Sequence, residues 1–341
     1  VFATVTWQAG AGQVTVAQLP KLEDLERRPM TTTDPTSLPP PKRRRHPEAT
    51  LAFWGFVGPL VLGLLVFTFL PIVWGFLLSL HDARNTVSMQ DFVGLSNYVS
   101  MLTDPAFLDT LRTVSIFALF IVPTTIALGL GLALLVNSVR RGQSFFRSAF
   151  FLPTAVSYVV ASLVWRMGLF SGVRYGVANM LLLSLGGQTH SWIFDSPWIV
   201  LVSVRLWLQL GFNMIIFLAG LQEIPRDLYE AARIDGAEGG WVTFRHITWP
   251  LLRNTTIFVL FVNIIAAFQA FDEFYNILAT TGGGSGNAVG TRPPLWYLYD
   301  LAFGSQDYGR ASAGAFMVAA LILIATLTQV RLFGLGRSES S

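Results

Sequence analysis

Apolar residues in this chain come in long unbroken runs. They show neither the three-to-four spacing of a surface helix nor the alternation of a half-buried strand. Six runs stand out, at about 51–80, 111–136, 149–170, 197–221, 255–270 and 311–333. Each approaches the ~20 residues a helix needs to cross hydrocarbon. Continuous runs predict helices, because the strands of a membrane barrel would alternate. The pattern therefore predicts an all-α polytopic membrane domain of six transmembrane helices over 51–333, between tails at 1–50 and 334–341. The first tail mixes Pro, Thr and charge, ends in PPPKRRRHPE and has no apolar period, so it is expected to be disordered and cytoplasmic. Its opening residues have neither a basic start nor a sustained apolar stretch, which argues against a signal peptide, and Met30 is a candidate start.

Composition agrees with the pattern. Of 341 residues, 52% are hydrophobic and only 13% charged, about half the charged share of a soluble domain. The placement of charge gives an orientation. Lys42, Arg43, Arg44 and Arg45 precede the first run, Arg140, Arg141 and Arg147 follow the second, Arg226, Arg233, Arg245 and Arg253 follow the fourth, and Arg331 and Arg337 end the last. The alternate loops carry Asp82, Asp91, Asp104, Asp109, Asp195, Asp300 and Asp307 with few cations. Cationic loops stay in the cytoplasm, so both termini are expected there in a multi-pass cell-membrane protein.

Several chemistries are excluded by residue counts. Cysteine is absent, and with it disulfides, thiolate metal sites and cysteine nucleophiles. Lysine occurs only at Lys21 and Lys42, ahead of every apolar run, so no phosphate-binding loop with its following Lys is available. His46, His81, His190 and His246 are scattered over both sides and form no metal or triad pattern. No catalytic residue, cofactor, metal or nucleic-acid partner is expected.

One polar island interrupts the apolar runs, PRDLYEAARIDGAEGGWVTFRHITWP from Pro225 to Pro250. Pro225 suits the first position of a short helix, and Gly236 suits the left-handed position just past its end. Arg226, Glu230 and Arg233 have spacings that allow weak surface ion pairs. Ala231, Ala232 and Ala237 add almost no bulk, which fits a helix seated in a groove of another protein better than one lying on lipid.

The string EAARIDGA followed by Phe244, Ile247 and Pro250 resembles the cytoplasmic coupling motif of ATP-binding-cassette importer permeases. FVGLSNY after the first run is similar to the corresponding segment of carbohydrate permeases. FQAFDEFYNILATTGGGSGNA and YLYDLAFGSQDYGRASAGAF resemble one of the two non-identical halves of maltose- and glycerol-3-phosphate-type importers. The likeness implies a type I importer permease fold in which Glu230, Ala231, Ala232, Asp235, Gly236, Ala237, Ile247 and Pro250 couple to an ATPase. It also implies partners: two ATP-binding-cassette ATPase subunits, a second, different permease subunit, an extracytoplasmic solute-binding protein, and a carbohydrate or similar polyol as cargo, with a glycerol-3-phosphate-type solute, whose anionic group Arg205 would favour, as the alternative. Two positions depart from the family pattern. Trp249 stands where Leu is usual, and Asn254 replaces a Pro, which lets the fifth helix start early.

In the fourth run Arg205, Gln209 and Asn213 follow one another at i+4, a polar stripe on an apolar helix. Such residues face either a watery path or a neighbouring helix, and both explanations stand at this point. With Asn263 and Gln269 of the fifth run they are the candidate substrate contacts, and Phe268 and Phe271 are candidates for stacking on a sugar ring. Asp272 and Glu273 approach the outer end of that run. The Gly-rich stretch from Thr280 to Gly290 is expected outside, touching a binding protein or gating the mouth. An ion-driven secondary transporter is the rival reading, and the lack of Asp or Glu in the middle of every run counts against it. A second rival is a scaffold that recruits an ATPase without moving solute.

Overall fold

The computed structural model describes residues 47–139, 141–172, 176–236, 240–279 and 291–333. The expectations for the first 46 residues, for Ala237, for the Gly-rich stretch and for the last eight residues lie outside this set. The chain divides into two compact units, 1–63 and 64–341. In the first, the described residues form α1 (Pro47–Leu64). Its opening proline supplies no N–H that would go unpaired in a first turn, and the helix starts four residues inside the stretch expected to be tail.

The second unit contains α2 (Leu70–Ser79), α3 (Pro105–Ser138), α4 (Gln143–Phe151), α5 (Tyr158–Val164), α6 (Pro197–Glu223), α7 (Arg226–Ile234), α8 (Arg253–Phe268), α9 (Pro294–Tyr299) and α10 (Tyr308–Phe333), with shorter turns between them. The fold is all-α. Among the described residues only two isolated bridges, His81 with Phe92 and Arg84 with Asp307, break the pattern. Four helical stretches are long and apolar enough to cross a membrane unaided: Phe53–Ser79, Pro105–Ser138, Pro197–Glu223 and Tyr308–Arg331.

The third and fifth predicted spans are not straight helices. Gln143–Ala155 meets Tyr158–Leu169 at 94°, and Gly240–Leu251 meets Arg253–Phe268 at 67°. In the first, Pro153 tightens the turn Leu152–Ala155, and Val156 and Ser157 then go extended. In the second, Pro250 has no N–H to continue the ladder, and Leu252 leaves helical geometry at ψ 2°. A six-span count therefore holds only if each bent pair is one crossing. α8 begins at Arg253 with Asn254 in its first turn, two residues ahead of the expected start.

α3 is the hub, and α6 and α8 both pack along it, while α10 lies against α2. Among the described residues apolar side chains gather in three clusters. Phe117, Ile121, Val200, Val204, Leu208, Phe274 and Trp296 belong to one. Leu130, Val136, Met214, Phe217, Leu221, Leu252 and Val259 belong to a second, against which Tyr229 of α7 packs, and Met101, Phe107, Leu298 and Val318 form the third. The α4 arm crosses α6 at Gly211, where a Cβ would overlap the Phe150 carbonyl oxygen. Thr154 Oγ1 donates to the Leu208 carbonyl at 3.1 Å beside this crossing.

Candidate functional site: a docking helix and a polar cavity

α7 is short because its sequence starts and stops it. Pro225 occupies the cap (φ −60°, ψ 135°), one residue earlier than the expected first position, since its extended ψ turns the chain off the end of α6. Asp235 closes the C-terminus, and Gly236 follows at φ +87°, a left-handed backbone that a residue with a Cβ adopts only at a cost. Glu230, Ala231, Arg233, Asp235 and Gly236 are exposed and Ala232 is half-buried. Arg226, Glu230 and Arg233 form no ion pair with one another among the described residues, as their exposure to water makes the gain small.

Tyr229 anchors the helix. Tyr229 Oη and Thr248 Oγ1 lie 3.1 Å apart, joining α7 to the Gly240–Leu251 arm. Ile247 is half-buried on that arm and Pro250 exposed. Trp249 has a packing role, with its ring 6.2 Å from Phe244, which stacks on Trp241 at 5.6 Å. Ile234 is 87% exposed and Trp241 69%. Apolar residues this bare at a polar end of the bundle suit a protein partner.

The stripe on α6 separates into two environments. Asn213 and Asn263 are buried and bonded to each other, Asn263 Nδ2 donating to Asn213 Oδ1 at 2.7 Å. Each also donates to a carbonyl one turn back on its own helix. This pair joins α6 to α8.

Arg205, Gln209 and Gln269 instead line a cavity of about 180 Å³ with Tyr158, Phe271, Asp272 and Glu273. It forms where α8 ends and the chain re-enters a helical turn at Asp272. Arg205 is 5% exposed and Glu273 1%. The Arg205 guanidinium donates to Glu273 Oε1 at 2.7 Å and to the Ala266 carbonyl, and it lies over the Tyr158 ring, 5.3 Å from its centroid. Glu273, three residues past the end of the fifth run, is buried as the counter-charge that a buried guanidinium needs.

Beyond the cavity runs a row of rings. Phe271 stacks on Tyr275 at 5.3 Å, Tyr275 meets Tyr299 at 5.5 Å, and Tyr299 meets Phe303 at 4.9 Å. Tyr299 is 40% exposed and Phe303 65%. Phe268, the other expected stacking residue, packs against the apolar core. Tyr158, Tyr275 and Tyr299 were not legible as site residues, since nothing in an aromatic-rich apolar run marks which rings converge.

Residues 105–333 match the sequence model of a family described as "binding-protein-dependent transport system inner membrane component". The chain belongs to this family. It is 33% identical over 287 residues to the arabinooligosaccharides transport system permease protein of Bacillus subtilis, covering 83% of this chain and 89% of that one. It is 34% identical over 249 residues to the sn-glycerol-3-phosphate transport system permease protein of Agrobacterium fabrum, covering 71% and 80%. The fold matches a subunit in the crystal structure of a bacterial ABC transporter involved in the import of the acidic polysaccharide alginate, with a TM-score of 0.74 at 19% identity, covering 85% of this chain and 98% of that chain.

In this inner-membrane transport component the described residues among the candidate coupling contacts lie on one short surface helix, just past its end, and on the arm from Gly240. The candidate substrate contacts are drawn from α6, α8 and the break after α8.

Far from α7, a third polar cluster closes the other end of the bundle. Asp104 caps α3 by accepting from the Ala106 N–H at 3.0 Å, and it also accepts from Tyr297 Oη at 2.6 Å and from Arg310 at 3.0 Å. Partial burial raises its carboxyl, but the bonds from Tyr297, Ala106 and Arg310 outweigh this and leave it below its ordinary value of 3.8. Burial and then the bond to Asp104 push the Tyr297 phenol up to about 12.

Proposed function

We propose that this permease subunit conducts a carbohydrate, an oligosaccharide or similar polyol, inward across the cell membrane, driven by ATPases on separate chains. The observation that carries the reading is α7, a small-residue helix standing bare at one end of the bundle with the EAARIDGA motif on it. Under this proposal the assembly has two ATP-binding-cassette subunits, one of which seats on α7. A second, different permease completes the pathway, and an extracytoplasmic solute-binding protein delivers the cargo. Both termini and α7 then lie in the cytoplasm, as the arginine distribution requires. The ring row and the amide-lined cavity suit a polyol, since aromatic faces and amide groups bind sugar rings and hydroxyls.

The mechanism is mechanical. ATP binding closes the ATPases and displaces α7, and the bond between Tyr229 and Thr248 passes the motion to the arm before α8. The cavity then opens to one side or the other as the bundle changes state. ATP performs work only if docking differs between the states.

The chain contains no cysteine, so single-cysteine cross-linking is clean. Ala231→Cys and Ala232→Cys are expected to capture an ATPase subunit in membranes, with Leu119→Cys on the apolar side of α3 as the silent control. Capture of no ATPase from either position would reject the coupling role.

A further inference from the structure

We infer that the cavity beside Glu273 takes an uncharged, hydroxyl-rich solute and turns away anionic ones such as sugar phosphates and uronates. The inference rests on the carbohydrate reading above and narrows it. Arg205 alone in an apolar helix suggests an anion site, and its surroundings invert that expectation. Both terminal nitrogens of its guanidinium are already engaged, by Glu273 and by the Ala266 carbonyl, and its face lies over the Tyr158 ring, which leaves only the buried Nε without a hydrogen-bond partner among the described residues. An anion would have to displace a carboxylate that is 1% exposed. The lining also holds a second carboxylate, Asp272, which is half-buried and has no cation within 4.0 Å among the described residues. One guanidinium against two carboxylates leaves a net charge of −1 around the cavity.

A half-buried carboxylate beside the site repels an incoming anion more strongly than one in bulk water would. The remaining polar lining, the Tyr158 hydroxyl and the Gln209 and Gln269 amides, is neutral and offers both donors and acceptors. That set satisfies hydroxyl groups, which also donate and accept, without regard to charge. Asp272 is therefore a specificity residue, and Glu273 is a positioning residue that keeps Arg205 from attracting anions.

The test is equilibrium binding to the assembled permease–ATPase complex without its solute-binding protein, so that only the permease chooses. The probes are neutral oligosaccharides, each paired with the same sugar oxidised to a uronic acid at its terminal C6. The wild-type complex is expected to favour the neutral member of a pair at least about tenfold. Asp272→Asn should narrow that ratio severalfold, and Glu273→Gln, which frees the Arg205 charge, should bring it to unity or reverse it. The double variant R205Q/E273Q keeps Asp272 without an unpaired buried charge, so its neutral-to-uronate ratio, whatever its affinity for either, should stay on the neutral side as in the wild type. A wild-type preference for the uronates, or a ratio unmoved in both Asp272→Asn and Glu273→Gln while neutral sugar still binds, overturns the inference and leaves the carbohydrate reading standing. If the complex neither binds nor transports any sugar from either series, the carbohydrate reading fails and this inference fails with it.

Discussion

The two ends of the bundle use opposite materials. Around α7 the chain is exposed and locally determined: two alanines on a nine-residue helix, Ile234 and Trp241 left bare beside it, and the Tyr229–Thr248 bond to its support. Around Glu273 it is bulky, buried and assembled from distant parts of the sequence, with Arg205 and its partner 68 residues apart. The first arrangement suits a surface that must be released and re-engaged by another protein. The second suits a wall whose polar groups must hold their positions while cargo passes. Substitutions at the two ends should therefore fail differently, through lost coupling at one and lost folding or selectivity at the other.

The largest effect is expected where the backbone itself is in contact. Gly211→Val puts side-chain atoms into the Phe150 carbonyl, which cannot move as a flexible side chain would. The cost should exceed about 3 kcal/mol, with little monodisperse protein on size-exclusion chromatography. Next comes the buried pair. Glu273→Gln strands a guanidinium that is 5% exposed and should cost about 3–5 kcal/mol. R205Q/E273Q should recover most of that in thermal unfolding, whereas equal loss in both would show that the site matters for shape rather than charge.

At the α7 end the expected loss is functional. Gly236→Trp should leave expression close to wild type and cost about 1–2 kcal/mol of stability for its left-handed backbone, while uptake falls at least about tenfold and ATPase activity persists. Gly236→Asn, which tolerates φ +87°, should retain most uptake. Wild-type uptake in Gly236→Trp would dissolve the contrast between the ends.

The smallest effect concerns Asp104 and Tyr297. Because the Asp104 carboxyl is lowered, its contribution is present above pH 3.8 and fades as pH falls below that value. Because the Tyr297 phenol is raised, its contribution is present below pH 10.0 and is lost as pH rises through about 12. Tyr297→Phe should remove about 1 kcal/mol or less at neutral pH and flatten both limbs of a stability–pH profile.

Much of the architecture was legible because bilayer crossing imposes a length and an apolarity that single runs reveal. The four straight spans follow from that. The bends in the third and fifth spans do not, since Pro153 lies within an apolar stretch that a hydropathy pattern counts as continuous, and Pro250 closes a polar island that the pattern sets apart from the fifth run. Gly236 was readable as a helix stop because the reason is local. The Asn213–Asn263 bond was not, since i+4 spacing shows that residues share a face and not what that face meets. The identity of spacing between Arg205, Gln209 and Asn213 concealed a division between a cavity wall and a helix-to-helix bond.

The Gly211 crossing also bears on biosynthesis. The arm 143–155 leaves the ribosome more than fifty residues before the glycine against which it rests. Until α6 follows, that arm has no seat and its bend has no backing. Nascent chains released shortly after residue 190 should therefore expose the segment to protease, and chains extended past residue 223 should shield it. The third hydrophobic stretch thus reaches its resting depth retroactively, on the arrival of the fourth.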